Sequence, residues 1–178
     1  TGLHLVPKSK TTYARKNSKD ISLLGQEDKR QITAIIGSNY AGEMVPLQLI
    51  YEGKTSACQV EATDETISHS VHITHSKSHW STLETMKQYF EIVLQSFIRE
   101  KIKEHDLPFD SKSIVILDCW NIHKSKEFIE YVRRTHTNIL LVFVPANCTS
   151  KFQVADVALN YSFKHLVKIQ FEDWACQR

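Results

Sequence analysis

Two short aliphatic runs, Ile114-Val115-Ile116-Leu117 and Ile139 to Phe143, stand on either side of a helical pattern from about Lys124 to Arg134. Runs this short and this apolar are the mark of central strands buried on both faces. A strand, helix, strand succession at this spacing calls for parallel pairing, with the helix as the crossover. Upstream, Gln31–Ser38 and Met44–Tyr51 are rich in β-branched and aliphatic residues. The second alternates Val45, Leu47, Leu49 and Tyr51 against Pro46, Gln48 and Ile50, and Asn39 to Gly42 and Glu43 supply a turn. An antiparallel hairpin follows, and Pro46 suggests that its second strand is an edge strand.

Residues 1–28 are polar and irregular apart from apolar starts at Leu3–Val6 and Ile21–Leu24, and residues 53–80 show little periodicity. Ser81-Thr82-Leu83-Glu84 offers a capping box in which Ser81 and Glu84 satisfy the first amides of a helix. That helix keeps Leu83, Met86, Phe90, Val93 and Phe97 on one stripe, runs to about Lys103 and ends at Asp106-Leu107-Pro108. After a polar loop from Pro145 to Lys151, a last helix from about Asp156 places Leu159, Phe163, Leu166, Val167 and Trp174 on one side. The expected fold is therefore α/β: a mixed sheet, antiparallel hairpin plus parallel strands, flanked by helices.

The chain has 178 residues, enough for one domain, and its net charge of +2 excludes a polybasic tail or an acidic solvating segment. No apolar stretch is long enough for a membrane span, and the start has no signal-peptide pattern. Cys58, Cys119, Cys148 and Cys176 are scattered without a C-x-x-C pair, which reads as free thiols in the cytosol or nucleus. His69, His72, His75 and His79 invite a zinc reading, but without a Cys partner or apolar periodicity they do not imply a preformed tetrahedral site. Gly53-Lys54-Thr55 copies the tail of a P-loop, yet Gln48 stands where the first glycine belongs, so no nucleotide cofactor is expected.

Asp118 ends the first aliphatic run, at the carboxyl edge of the sheet where open α/β folds place their ligands. Its other reading is a cap for the helix that follows, and His123 on its own reads as a surface or capping residue. Asp156 falls where the last helix begins, either as an N-cap or as a second carboxylate delivered to the same edge. Together the two suit a hard divalent ion, Mg²⁺ or Mn²⁺.

These residues also resemble a known family. Asp28-Lys29-Arg30-Gln31-Ile32-Thr33 and the run Gly42-Glu43-x-Val45-Pro46-x-Gln48-Leu49-Ile50-Tyr51-x-Gly53-Lys54-Thr55 are similar to the hairpin of the DDE endonuclease/transposase core in the pogo, Tigger, jerky and centromere protein B group. His79-Trp80, Leu117-Asp118-x-x-x-x-His123 and Pro145-x-Asn147-x-Thr149-Ser150-x-x-Gln153-x-x-Asp156 match the group's remaining blocks in order. The resemblance implies a ribonuclease H-like fold in which three acids hold two Mg²⁺ or Mn²⁺ ions. Water or a DNA 3′-hydroxyl is activated at one ion, and the leaving oxygen is stabilised at the other. Asp118 matches the second acid and Asp156 the third. His123, Asn147, Thr149, Gln153 and Lys164 are the expected site-lining or DNA-contacting positions.

The family's first acid lies just ahead of a Thr-Gly pair like Thr1-Gly2. The expectation is therefore a core truncated after that acid, with no substitute among Asp20, Asp28, Asp64, Asp106 and Asp110, and with little nuclease activity of its own. The family's helix-turn-helix reader lies upstream too, which leaves phosphate contact as the expected mode of DNA binding. DNA as partner, a homodimer and a nuclear location complete the expectation. The alternative is a non-catalytic descendant kept for DNA binding or dimerisation. Trp120, beside the second acid, departs from the small or polar residues frequent there and could reshape the substrate channel.

Overall fold

A computed structural model of the chain describes residues 1–5, 16, 30–60, 70–145, 148, 153 and 155–177. The strands are β1 (Gly2–His4), β2 (Gln31–Ser38), β3 (Met44–Glu52), β4 (Val71–Ser76), β5 (Ser113–Leu117) and β6 (Ile139–Phe143). The helices are α1 (Leu83–Gln88), α2 (Gln95–Glu104), α3 (Lys126–Thr135) and α4 (Asn160–Cys176). A π-helical segment, Tyr89–Leu94, joins α1 to α2, and another, Ala155–Leu159, leads into α4. One sheet has the order β1-β2-β3-β4, antiparallel up to β3 and parallel between β3 and β4. The second is the parallel pair β5-β6. This is the mixed α/β arrangement that the sequence implies.

The strands of the hairpin lie where the sequence puts them, but the alternation is corrected: β3 buries Val45, Gln48 and Ile50, so its buried face changes phase across the register shift beside Pro46. The hairpin turn closes with Gly42 at φ 87°, a conformation that glycine adopts without cost, and the Glu43 amide donates to Asn39 Oδ1 at 2.9 Å. The edge assignment of its second strand is corrected, because β3 has β2 on one side and β4 on the other. Pro46 is tolerated for a local reason. The β2–β3 register shifts between Ile35 and Gly37, and the β4 ladder begins only at Leu47, so no hydrogen bond is asked of position 46.

Strand β4 arises in a segment that carries no apolar alternation. Its buried positions include Thr74 and Ser76, and both are satisfied: the Thr74 hydroxyl donates to Gln88 Oε1 at 2.8 Å and the Ser76 hydroxyl to the Trp80 carbonyl at 2.7 Å. Beside them Gln48, fully buried on β3, donates to the Thr85 carbonyl at 3.2 Å. A polar layer under α1 thus replaces the apolar one that periodicity looks for. The capping box is also shifted by one residue. Thr82 is the N-cap, its Oγ1 accepts from the Thr85 amide, and the Thr85 hydroxyl accepts from the Thr82 amide.

The main core lies between the sheet and the helices, with Met86, Phe90, Val93 and Ile98 packed against Val45, Phe128, Val132 and Ile139. A smaller cluster of Leu3, Ile32 and Ala34 occupies the opposite sheet face, where Phe163 of α4 packs. Burial of β5 and β6 on both faces is corrected. Val115, Leu117 and Leu141 face the core, whereas Ile114 and Ile116 are each 65% exposed and stand opposite Leu140 and Val142, which are exposed as well. The stripe expected on the last helix divides similarly: Phe163 and Val167 are half-buried, while Leu166 and Trp174 are exposed.

His136 is buried against Phe90 and Tyr131, and its Nε2 lacks a hydrogen-bond partner. Burial holds the imidazoles of His136 and His72 below the ordinary histidine value. The folded chain then binds fewer protons than the unfolded one just below about pH 6.5, so the contribution of these groups is present above that pH and lost as the pH falls through it. The urea midpoint is expected to drop from about pH 7 to about pH 5, and His136→Phe is expected to flatten part of that slope. An unchanged slope in the variant would assign the pH dependence elsewhere.

Candidate active site

Strand β5 stops at Leu117 because the chain turns there. The Val144 amide donates to the Leu117 carbonyl at 2.8 Å, and the Cys119 thiol donates to the Val144 carbonyl at 2.8 Å. Asp118 therefore leaves the sheet at its carboxyl edge. It does not cap the following helix, since Ser125 fills that role, with its Oγ accepting from the Phe128 amide at 3.2 Å.

Three donors converge on the Asp118 carboxylate. His123 Nδ1–H donates to Oδ1 at 2.6 Å, the Trp120 amide donates to the same oxygen at 3.3 Å, and the Gln153 side chain adds a further bond. The His123 hydrogen bond above all holds the Asp118 carboxyl below the usual carboxylate range, against the opposing effect of burial. His123 is itself fixed, with Trp120 edge-on at 5.3 Å and Phe128 at 6.1 Å between ring centroids. Trp120 thus supports the imidazole instead of standing apart from the site.

Asp156 lies in the first turn of the π-helical segment. Its amide and that of Val157 donate to the Gln153 carbonyl at 3.1 and 3.0 Å, and its Oδ1 accepts from Asn160 Nδ2 at 2.7 Å. The Asp156–Asn160 contact has the i, i+4 spacing of neighbouring helical side chains, a signal present in the sequence. Lys164 follows on α4, exposed.

The two carboxylates are linked through Gln153, which bonds Asp118 with its side chain and the Asp156 amide with its carbonyl, and the segment that carries Asp156 packs on β2, beside the start of β1. The Thr1 amino group donates to the Ala34 carbonyl at 2.6 Å, and the Thr1 carbonyl accepts from the Ala34 amide at 2.8 Å. Burial lowers the pKa of that amino group and the charge of Lys164 lowers it further, while Asp156 and Asp118 act in the opposite sense. Asp118, Asp156, Lys164 and Thr1 thus share one electrostatic neighbourhood. Gln153 joins it through Asp118. Asn147 and Thr149 lie outside the described residues.

The donor set is one of hard oxygens. Asp118 is kept ionised, Asp156 is open to solvent, and Gln153 Oε1 is buried beside Asp118 without a hydrogen-bond partner. Such atoms fit Mg²⁺ or Mn²⁺ and not a thiolate-seeking metal. Among the described residues no group of three or more His, Cys, Asp or Glu gathers as a metal site. His72 and His75 lie along β4, with His75 Nδ1 at 2.8 Å from Gln59 Nε2, while His79 Nδ1 lies 3.4 Å from Thr33 Oγ1. His69 falls outside the described residues. Among those residues, no helix is long and apolar enough to cross a membrane.

The family described as DDE superfamily endonuclease matches residues 29–178, most of the chain. No curated protein and no solved structure matches.

Proposed function

The chain belongs to the DDE superfamily endonucleases, and from that premise we propose that its Asp118 and Asp156 serve metal-dependent cleavage and transfer of DNA strands in a pogo-like core. The observation that supports this reading is the link through Gln153, whose side chain bonds Asp118 at the end of β5 and whose carbonyl accepts from the amide of Asp156, in a segment that packs on β2.

Asp118 and Asp156 would hold Mg²⁺ or Mn²⁺, with Gln153 Oε1 as a neutral oxygen at hand. A divalent ion there supplies neutralisation of charge at phosphorus and a lowered pKa for the attacking hydroxyl. The protein's own part is positional. His123 and the Trp120 amide occupy Oδ1 of Asp118 and so fix the plane of its carboxylate. Lys164 offers a cation to a phosphate oxygen, a contact that orients the strand without reading its sequence. A homodimer belongs to the same proposal, supported by the exposed Ile114, Ile116, Leu140 and Val142 face, as does a nuclear location, supported by the four free thiols and a DNA substrate.

The resemblance calls for its first acid two positions ahead of Thr1. Nicking of supercoiled plasmid by this chain alone, with Mg²⁺ or Mn²⁺, is expected to be slight. A polypeptide carrying an added Asp two positions before Thr1 is expected to nick readily, and Asp118→Asn in that background to abolish it. Strong nicking that survives Asp118→Asn would remove Asp118 from the site. Failure of the added Asp to raise cleavage in a folded chain would favour the non-catalytic, DNA-binding reading.

A further inference from the structure

The His79–Trp80 pair belongs neither to the core nor to the acidic centre. His79 has φ 53°, in the left-handed region that a non-glycine side chain enters at a cost. The surroundings hold it there. The Trp80 carbonyl accepts from the Ser76 hydroxyl at 2.7 Å, and His79 Nδ1 lies 3.4 Å from Thr33 Oγ1. The result is two stacked rings, with centroids 5.5 Å apart and planes 27° apart, and an indole left 62% exposed. Tryptophan is on average a highly buried residue. A strained turn that lifts one into water and backs it with an imidazole is arranged to present it.

Its position is equally telling. Thr33, the partner of His79, stands opposite Gly2 in the β1–β2 register. Strand β2, which carries Thr33, in turn meets the π-helical segment Ala155–Leu159, which carries Asp156. The stacked pair is therefore one strand away from the acidic centre, with the exposed Lys77 on the same turn.

We propose that His79 and Trp80 form a stacking platform for an unpaired nucleobase of the DNA strand whose phosphate lies at Asp118 and Asp156. The inference rests on the endonuclease reading above and adds a base-binding subsite to it. A flat aromatic surface beside a phosphate site accepts the π-face of a base of any sequence. Within a continuous duplex that face is covered by the neighbouring base pairs, so the platform selects unpaired nucleotides. It contributes affinity and placement of the strand, and no base-edge recognition.

The chain contains three tryptophans, so Trp120→Phe and Trp174→Phe together leave Trp80 as the sole indole. In that background, a short oligothymidylate is expected to quench Trp80 emission, and a blunt duplex of the same length to leave it unchanged. Trp80→Ala is expected to weaken oligothymidylate binding by about tenfold, with Trp80→Phe retaining most of it. Trp80 is exposed, so folding of each variant is checked by circular dichroism. Equal binding by Trp80→Ala, absence of quenching, or equal quenching by the duplex overturns the platform. The two readings separate cleanly. Quenching and the Trp80→Ala loss in a protein that shows no metal-dependent cleavage even with the added Asp uphold the platform and remove the catalytic reading. Cleavage without quenching does the reverse.

Discussion

Truncating Phe128 to alanine is expected to lower the free energy of unfolding by about 3–5 kcal/mol. The ring is fully buried and meets Phe90 edge-to-face, with centroids 5.1 Å apart and planes 88° apart. Truncation loses the transfer free energy of the ring and leaves a void lined by α3, the α1–α2 segment and β6. A domain of this size is stable by about 5–15 kcal/mol in all, so the variant is expected to be partly unfolded at physiological temperature. Phe128 also lies against His123, which makes Phe128→Leu the informative companion. It leaves a smaller void and should keep the fold, while loosening the imidazole that fixes Asp118. Urea unfolding followed by tyrosine and tryptophan emission measures both variants. A loss below about 1 kcal/mol for Phe128→Ala would mean that the site collapses without a cavity.

The second large effect concerns the carboxylates. Mn²⁺ at millimolar concentration is expected to raise the melting temperature of the unmodified chain through binding to the folded state alone. Asp118→Asn and Asp156→Asn are each expected to abolish that rise. Without metal the two variants are expected to differ. Asp118→Asn turns a charge-assisted bond from His123 into a neutral one and costs about 1 kcal/mol. Asp156→Asn, at an exposed side chain that accepts from Asn160, is expected to cost close to nothing. Because the folded Asp118 pKa is depressed, its contribution is present above about pH 4 and lost as the pH falls below it, and Asp118→Asn should remove that loss. A metal response retained in either variant would take that residue out of the ligand set.

Much of this organisation can be read from the residues, though unevenly. The β2–β3 hairpin is legible as two strands about a turn, though not the face that β3 buries, which passes from Val45 to Gln48 and Ile50 across the register shift, and α1 is legible because its apolar stripe repeats at helical spacing. Strand β4 is not, because its buried positions include Thr74 and Ser76, whose hydroxyls are satisfied only by Gln88 and Trp80, and such partners are invisible along the chain. The runs that become β5 and β6 reveal a strand but not how many of its faces are covered. Pro46 misleads for a related reason: a register shift in β2 relieves it, and register is a property of the pair. At the site, Asp118 can be placed by its strand end alone. The bond from His123, five residues on, depends on the turn at Trp120, and the convergence with Asp156 depends on the whole sheet.

The π-helical segment between α1 and α2 has a consequence for the phase of the chain. At 3.6 residues per turn each residue advances a helix by about 100°, and a π segment takes up one extra residue without breaking the run. Excising one residue from Tyr89–Leu94 would restore ordinary winding and leave everything downstream in its present phase relative to α1, whereas winding all the same residues as a regular helix would turn it by about that angle. In that regular winding Ile98 would leave the core, and Lys101, which bonds Glu43 at 2.6 Å across to the hairpin turn, would point elsewhere. The segment acts as a rotational coupling. It lets Met86 and Ile98, on two helices of one continuous rod, face the same core from a sequence that a regular helix would set out of step.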